Sequence, residues 1–141
     1  MKDPKIEHLR RVPLFANCTT KELAFLATRA DEVAVPTGKA LTRQGRAGDT
    51  FFVLLEGEAG VEIDGKPRRT LKTGDFFGEI GMLDLGPATA TVTTNGKAQL
   101  LVMSHAQFRD AIKANDGLLV KVLRAMGERL RADLQAHDAR R

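Results

Sequence analysis

Phe51-Phe52-Val53-Leu54-Leu55-Glu56-Gly57-Glu58-Ala59-Gly60-Val61-Glu62-Ile63-Asp64-Gly65 holds two short apolar runs, each followed by a glycine turn. Short runs of β-branched and aromatic residues bounded by turn residues read as strands. Asp64-Gly65 favours the positive φ angles of a tight hairpin turn, so the second run should double back on itself. The same pattern continues outward. Upstream, Val33-Ala34-Val35 and Ala40-Leu41-Thr42 are strand candidates, with breaks at Thr37-Gly38 and Gly45-Arg46-Ala47-Gly48-Asp49. Downstream come Thr70-Leu71, Ala90 to Thr93 and Gln99 to Met103, with breaks at Thr73-Gly74-Asp75 and Asn95-Gly96. Asn95-Gly96 predicts a second hairpin. Seven or so short strands at this spacing argue for an antiparallel sandwich, jelly roll or barrel.

Helical patterns flank the strands. Ile6, Leu9, Val12 and Leu14-Phe15 predict a short amphipathic helix with its apolar face turned inward. Thr19 with Glu22 has the spacing of a capping box, predicting a second short helix that carries Leu23, Phe25 and Leu26. Ser104 with Gln107 repeats that spacing ahead of Phe108, Ala111 and Ile112. After Asn115-Asp116-Gly117 a longer helix carries Leu119, Leu123, Met126 and Leu130, spaced four, three and four as one stripe. The stripe suits two destinations equally: packing on the chain's own strands, or a homodimer through this C-terminal helix. The expected fold is mainly β with flanking helices, in a single domain over residues 1–141.

Composition narrows the functional classes. The hydrophobic share of 43% and charged share of 28% are those of a globular protein. No apolar stretch approaches the roughly 20 residues that span a bilayer, and Met1-Lys2-Asp3-Pro4-Lys5 lacks a signal peptide's apolar run. With Cys18 the only cysteine, a cytoplasmic setting is expected, with no membrane partner. Net charge is +4, but residues 1–20 carry four basic and two acidic groups, and residues 121–141 carry six and three. The body between them holds 12 basic and 13 acidic groups, so the excess lies at the ends. With no Trp or Tyr to stack on bases either, nucleic acid is not an expected partner. His8, His105 and His137 are scattered, so neither a catalytic residue nor a metal site is expected. Cys18 reads as a passive buried thiol.

Chemistry concentrates between Gly74 and Val92. Gly74-Asp75-Phe76-Phe77-Gly78-Glu79-Ile80-Gly81-Met82-Leu83 ends a strand and enters one short helical turn. Gly78 allows close backbone approach to a ligand, and free N–H groups at a helix start can hold a phosphate. A carboxylate such as Glu79 would repel that phosphate, so its natural target is a sugar hydroxyl. The same residues also suit an ordinary turn.

The ordered succession of motifs adds to this. Val12-Pro13-Leu14-Phe15, Val35-Pro36-Thr37-Gly38-Lys39, Arg43-Gln44-Gly45, Gly48-Asp49, Glu56-Gly57-Glu58-Ala59, Leu71 through Ile80, and Pro87 leading to Ala90-Thr91-Val92 follow one another in the chain. Over about residues 10–134 they resemble the cyclic nucleotide-binding domain of the catabolite-activator, protein-kinase-regulatory-subunit and cyclic-nucleotide-gated-channel families. The resemblance implies an antiparallel β-roll of about eight strands, with short N-terminal helices and a long C-terminal helix. It implies that Glu79 hydrogen-bonds the ribose 2′-hydroxyl, while backbone N–H groups of Gly78, Ile80 and Gly81 face the cyclic phosphate.

The residue after this family's proline is usually an arginine that pairs with the phosphate. Here Pro87 is followed by Ala88. Such a pair contributes about 1.5–3 kcal/mol, so its absence predicts binding weakened roughly tenfold to a hundredfold. Thr89 offers one hydroxyl to the phosphate instead. Arg129 lies on the helix that covers the pocket in this family, where it could reach Glu79 or the ligand. Arg43 and Arg46 read as solvated charges. Met126, Leu130 or Leu134 would cover the base. The implied ligand is cAMP, with cGMP as the second candidate, and the implied output runs through an unidentified protein partner. The alternative is a degenerate member that keeps the roll as an interaction scaffold. Ala88 argues for it, and the retained Gly78-Glu79 argues against it.

Overall fold

A computed structural model of the chain describes residues 4–12, 15–78, 86–114 and 116–139. Its organising element is β3 (Thr50–Glu56), buried on both faces from Phe51 to Leu55. Successive side chains on a strand point to opposite faces, so this run serves two cores at once. Phe51, Val53 and Leu55 share one core with Leu101 and Met103 of β8 (Ala98–Ser104). Helices cover that face. α1 (Pro4–Arg10), α2 (Thr20–Thr28), α3 (His105–Ala114) and the start of α4 (Asp116–Ala139) contribute Leu9, Leu23, Leu26, Phe108, Ala111 and Leu118. Phe52 and Leu54 face the second core, with Leu100, Val61, Leu71, Phe77 and Val92. Each fully buried side chain of this size stabilises the fold by about 1.5–3 kcal/mol.

The strands form two four-stranded antiparallel sheets. One runs β1 (Asp31–Val35), β8, β3, β6 (Phe76–Phe77), and the other β2 (Ala40–Thr42), β7 (Thr91–Thr94), β4 (Ala59–Ile63), β5 (Lys66–Leu71). Eight strands in two sheets with flanking helices are the fold class that the sequence implied. Both capping boxes form. Thr19 Oγ1 accepts from the Glu22 N–H at 3.1 Å while Glu22 accepts from the Thr19 N–H at 2.8 Å. Ser104 and Gln107 do the same at 3.2 and 2.8 Å.

The two predicted hairpins part company. Asp64 and Gly65 adopt φ of 53° and 78°, and β4 pairs directly with β5. Gln44 clamps that turn, its amide donating to Asp64 Oδ1 at 2.9 Å and accepting from the Asp64 N–H at 2.8 Å. At Asn95-Gly96 only the glycine has positive φ, and the flanking strands do not pair with each other. β7 lies between β2 and β4 while β8 lies between β1 and β3, so this turn carries the chain from one sheet to the other. Two further strand readings change. Phe76–Phe77 forms a two-residue strand on β3, and β5 starts at Lys66 although its first five residues are exposed.

The predicted leucine stripe of α4 also divides. Met126 packs on the helix-side core, whereas Leu123 and Leu130 are 52% and 60% exposed. Among the described residues, no helix is long and apolar enough to cross a membrane.

Candidate functional site

The sheet of β2, β7, β4 and β5 has an apolar inner face that is not fully covered by β3. Between it and α4 lies a cavity of about 420 Å³, within the range of small-ligand sites. Val61, Ile63, Leu71 and Val92 form the floor, and Met126, Gly127, Arg129 and Leu130 of α4 form the roof. Gly48, Thr50, Gly78, Ala88 and Thr89 close one end.

That closed end is built by close backbone contact. Gly78 has φ of +86°, and a Cβ placed there would run into the carbonyl oxygen of Thr50. Only glycine suits both the conformation and the space. At Gly48 a Cβ would sit 3.0 Å from the Ala88 backbone nitrogen. The short bridge between Ala47 and Pro87 explains this approach. Ala88 donates its N–H to the Arg46 carbonyl at 2.7 Å and accepts from the Gly45 N–H at 2.9 Å. Both backbone groups of Ala88 are thereby paired within the protein, and its half-buried methyl faces the cavity. A guanidinium carried from this position would enter the cavity beside Gly78 and Thr89.

The roof is pinned by charge against aromatic surface. The Arg129 guanidinium carbon lies 4.0 Å from the centroid of the buried Phe76 ring, a cation–π contact. The next residue, Phe77, lines the cavity and stacks on Phe52 with centroids 4.8 Å apart. Phe76 and Phe77 thus connect α4 to the cavity wall through adjacent positions. The described lining side chains carry two guanidinium groups, Arg69 and Arg129.

Of the residues singled out from sequence, the structure brings together Gly78, Ala88, Thr89 and Arg129 around this cavity, with Met126 and Leu130 over it. Glu79, Ile80 and Gly81 lie outside the described residues. Arg43 and Arg46 are exposed. Sequence reasoning missed Arg69, which lines the cavity from β5. The available signal was strand alternation: Arg69 shares a face with Leu71, an obvious inward residue. Cys18 is buried away from the cavity, and burial pushes its thiol pKa up, with Glu22 adding to the effect and Lys121 opposing it.

The profile of the family described as "Cyclic nucleotide-binding domain" matches residues 32–115. A cAMP-dependent protein kinase regulatory subunit of Yarrowia lipolytica is 33% identical over 117 residues, which are 77% of this chain and 31% of that protein. Among solved structures, cAMP-bound PfPKA-R shares the fold with a TM-score of 0.81 at 24% identity, covering 94% of this chain and 46% of that one. The catabolite activator protein of Thermus thermophilus gives a TM-score of 0.79 at 24% identity, covering 89% and 62%. The chain spans about a third or less of the length of the curated relatives it matches.

Proposed function

The chain belongs to the cyclic nucleotide-binding domain family, and from that premise we propose that its cavity binds a purine 3′,5′-cyclic nucleotide as the input of a regulatory module. The observation that carries this reading is the cavity itself. Tight backbone packing at Gly48, Gly78 and Ala88 shapes one end for a compact anion, and the floor of Val61, Val92 and Leu71 suits a flat apolar base. Arg129 brings positive charge down from the roof. Glu79, next along the chain from Gly78, is the residue assigned to the ribose 2′-hydroxyl. The relatives are regulatory subunits of cAMP-dependent protein kinases, which makes cAMP the reference ligand.

The binding test is calorimetry with cAMP and cGMP. The wild type binds weakly to moderately because Ala88 offers no charge to the phosphate. Glu79→Ala abolishes the heat, and Ala88→Arg tightens binding by roughly tenfold or more. No heat from the wild type at millimolar nucleotide overturns this reading and leaves the scaffold alternative.

The output passes to a protein partner in the cytoplasm, in keeping with the regulatory subunits among the relatives. A second copy of the chain is the partner to which α4 is best suited. Val120, Leu123, Leu130 and Leu134 are each more than half exposed. They fall at steps of three, seven and four, the spacing of a helix-pairing seam.

A further inference from the structure

We propose that Asn95-Gly96 is a site of spontaneous covalent modification, at which the asparagine converts to aspartate and isoaspartate while the chain is folded. The reaction needs only water. The Gly96 amide nitrogen attacks Asn95 Cγ, closing a cyclic imide and expelling ammonia. Water then opens the ring at either carbonyl. One opening gives aspartate, and the other routes the main chain through the former side chain as isoaspartate. No oxidant or reductant takes part.

Both reacting groups are available in this turn. Asn95 is exposed, and among the described residues no hydrogen bond holds its carboxamide or the Gly96 N–H. Gly96 brings no side chain to the attacking nitrogen, and a Cβ placed there would meet nothing within 4 Å. The carboxamide lies over Gly60, where a Cβ would sit 3.6 Å from both of its polar atoms. The Asn95 N–H donates to the Glu58 carbonyl at 2.9 Å, so the chain is fixed just before the reacting pair. Asp64-Gly65 is the internal comparison. There Gln44 holds both the side chain and the N–H of Asp64, and a carboxylate is a poorer electrophile than a carboxamide. The position of Asn95 gives its modification a structural effect. Only Asn95, Gly96 and Lys97 separate the end of β7 at Thr94 from the start of β8 at Ala98. This crossing is closely packed at its far end, where a Cβ on Gly57 would lie 2.9 Å from the Lys97 carbonyl oxygen. Isoaspartate adds one carbon to the main chain of the crossing, which the paired strands on either side cannot absorb.

Incubation of the whole chain in mildly alkaline buffer, followed by peptide mapping with mass spectrometry, tests this. The peptide holding Asn95 gains about 1 Da as NH is exchanged for O. The gain at Asn95 runs well ahead of Asn17, which precedes Cys18, and of Asn115, which precedes Asp116, because a following side chain hinders the attack. Asp64 stays unmodified. Asn95→Gln abolishes the gain, since its longer side chain closes a ring more slowly, and an unchanged thermal melt verifies that this variant folds. Aged wild type melts below fresh Asn95→Asp, which carries the new charge without the added carbon. Modification in urea but not in the native chain overturns the proposal, because the fold then protects the pair. Equal rates at the three asparagines overturn it too. Aged protein that holds aspartate alone and melts with Asn95→Asp overturns the isoaspartate.

Discussion

Gly78 and Gly127 both lie against the cavity, yet a methyl group has opposite effects at the two positions. At Gly78 it meets the Thr50 carbonyl and must also adopt φ of +86°. At Gly127 it meets nothing within 4 Å, on a helix where alanine is the better residue. Urea denaturation should show Gly78→Ala destabilised by about 2 kcal/mol or more, and Gly127→Ala stabilised by about 0.5–1 kcal/mol. At this scale the sequence was most informative where a motif named its residue. Gly78, Ala88, Thr89 and Arg129 were each singled out from the chain, and the fold gathers them. Arg69 was not, because a charge in the run Lys66-Pro67-Arg68-Arg69 reads as solvated until Leu71 fixes which face turns inward.

Among the elements, those set by neighbouring residues were legible and those set by distant pairing were not. The capping boxes at Thr19 and Ser104 and the turn at Asp64-Gly65 are local, and all three form. Asn95-Gly96 has the same local chemistry, but β7 and β8 take partners from far along the chain, and no nearby residue records that choice. β6 is only two residues long and exists because β3 offers it an edge. β5 is disguised by its charges and Pro67, which suit an outer strand by discouraging further pairing. The contact of α4 with β6 carries a prediction of its own. Arg129→Ala removes the cation–π contact with Phe76 and lowers stability by about 1 kcal/mol in the same urea assay. Arg129→Lys retains part of that loss, since ammonium stacks less well than guanidinium.

At the scale of the whole molecule, α4 offers an exposed apolar strip to a second copy of the chain. The exposed residues Val120, Leu123, Leu130 and Leu134 form an apolar strip along α4, of which Leu130 also borders the cavity. Light scattering of the wild type should give the mass of a dimer at micromolar concentration, and Leu123→Asp should return the monomer. A monomeric wild type would remove the self-association argument. Leu123 is 52% exposed, so the substitution should leave the thermal melt of the folded unit nearly unchanged.

Phe76 and Phe77 have one more consequence. Phe76 points to the helices, contacting Phe51 at 5.8 Å and lying beneath Arg129, while Phe51 continues to Phe108 at 5.0 Å. Phe77 points the other way, into the cavity wall. Two adjacent residues of one short strand therefore border both cores, and through Arg129 and Phe51 the same dipeptide meets α4 on one side and the cavity wall on the other.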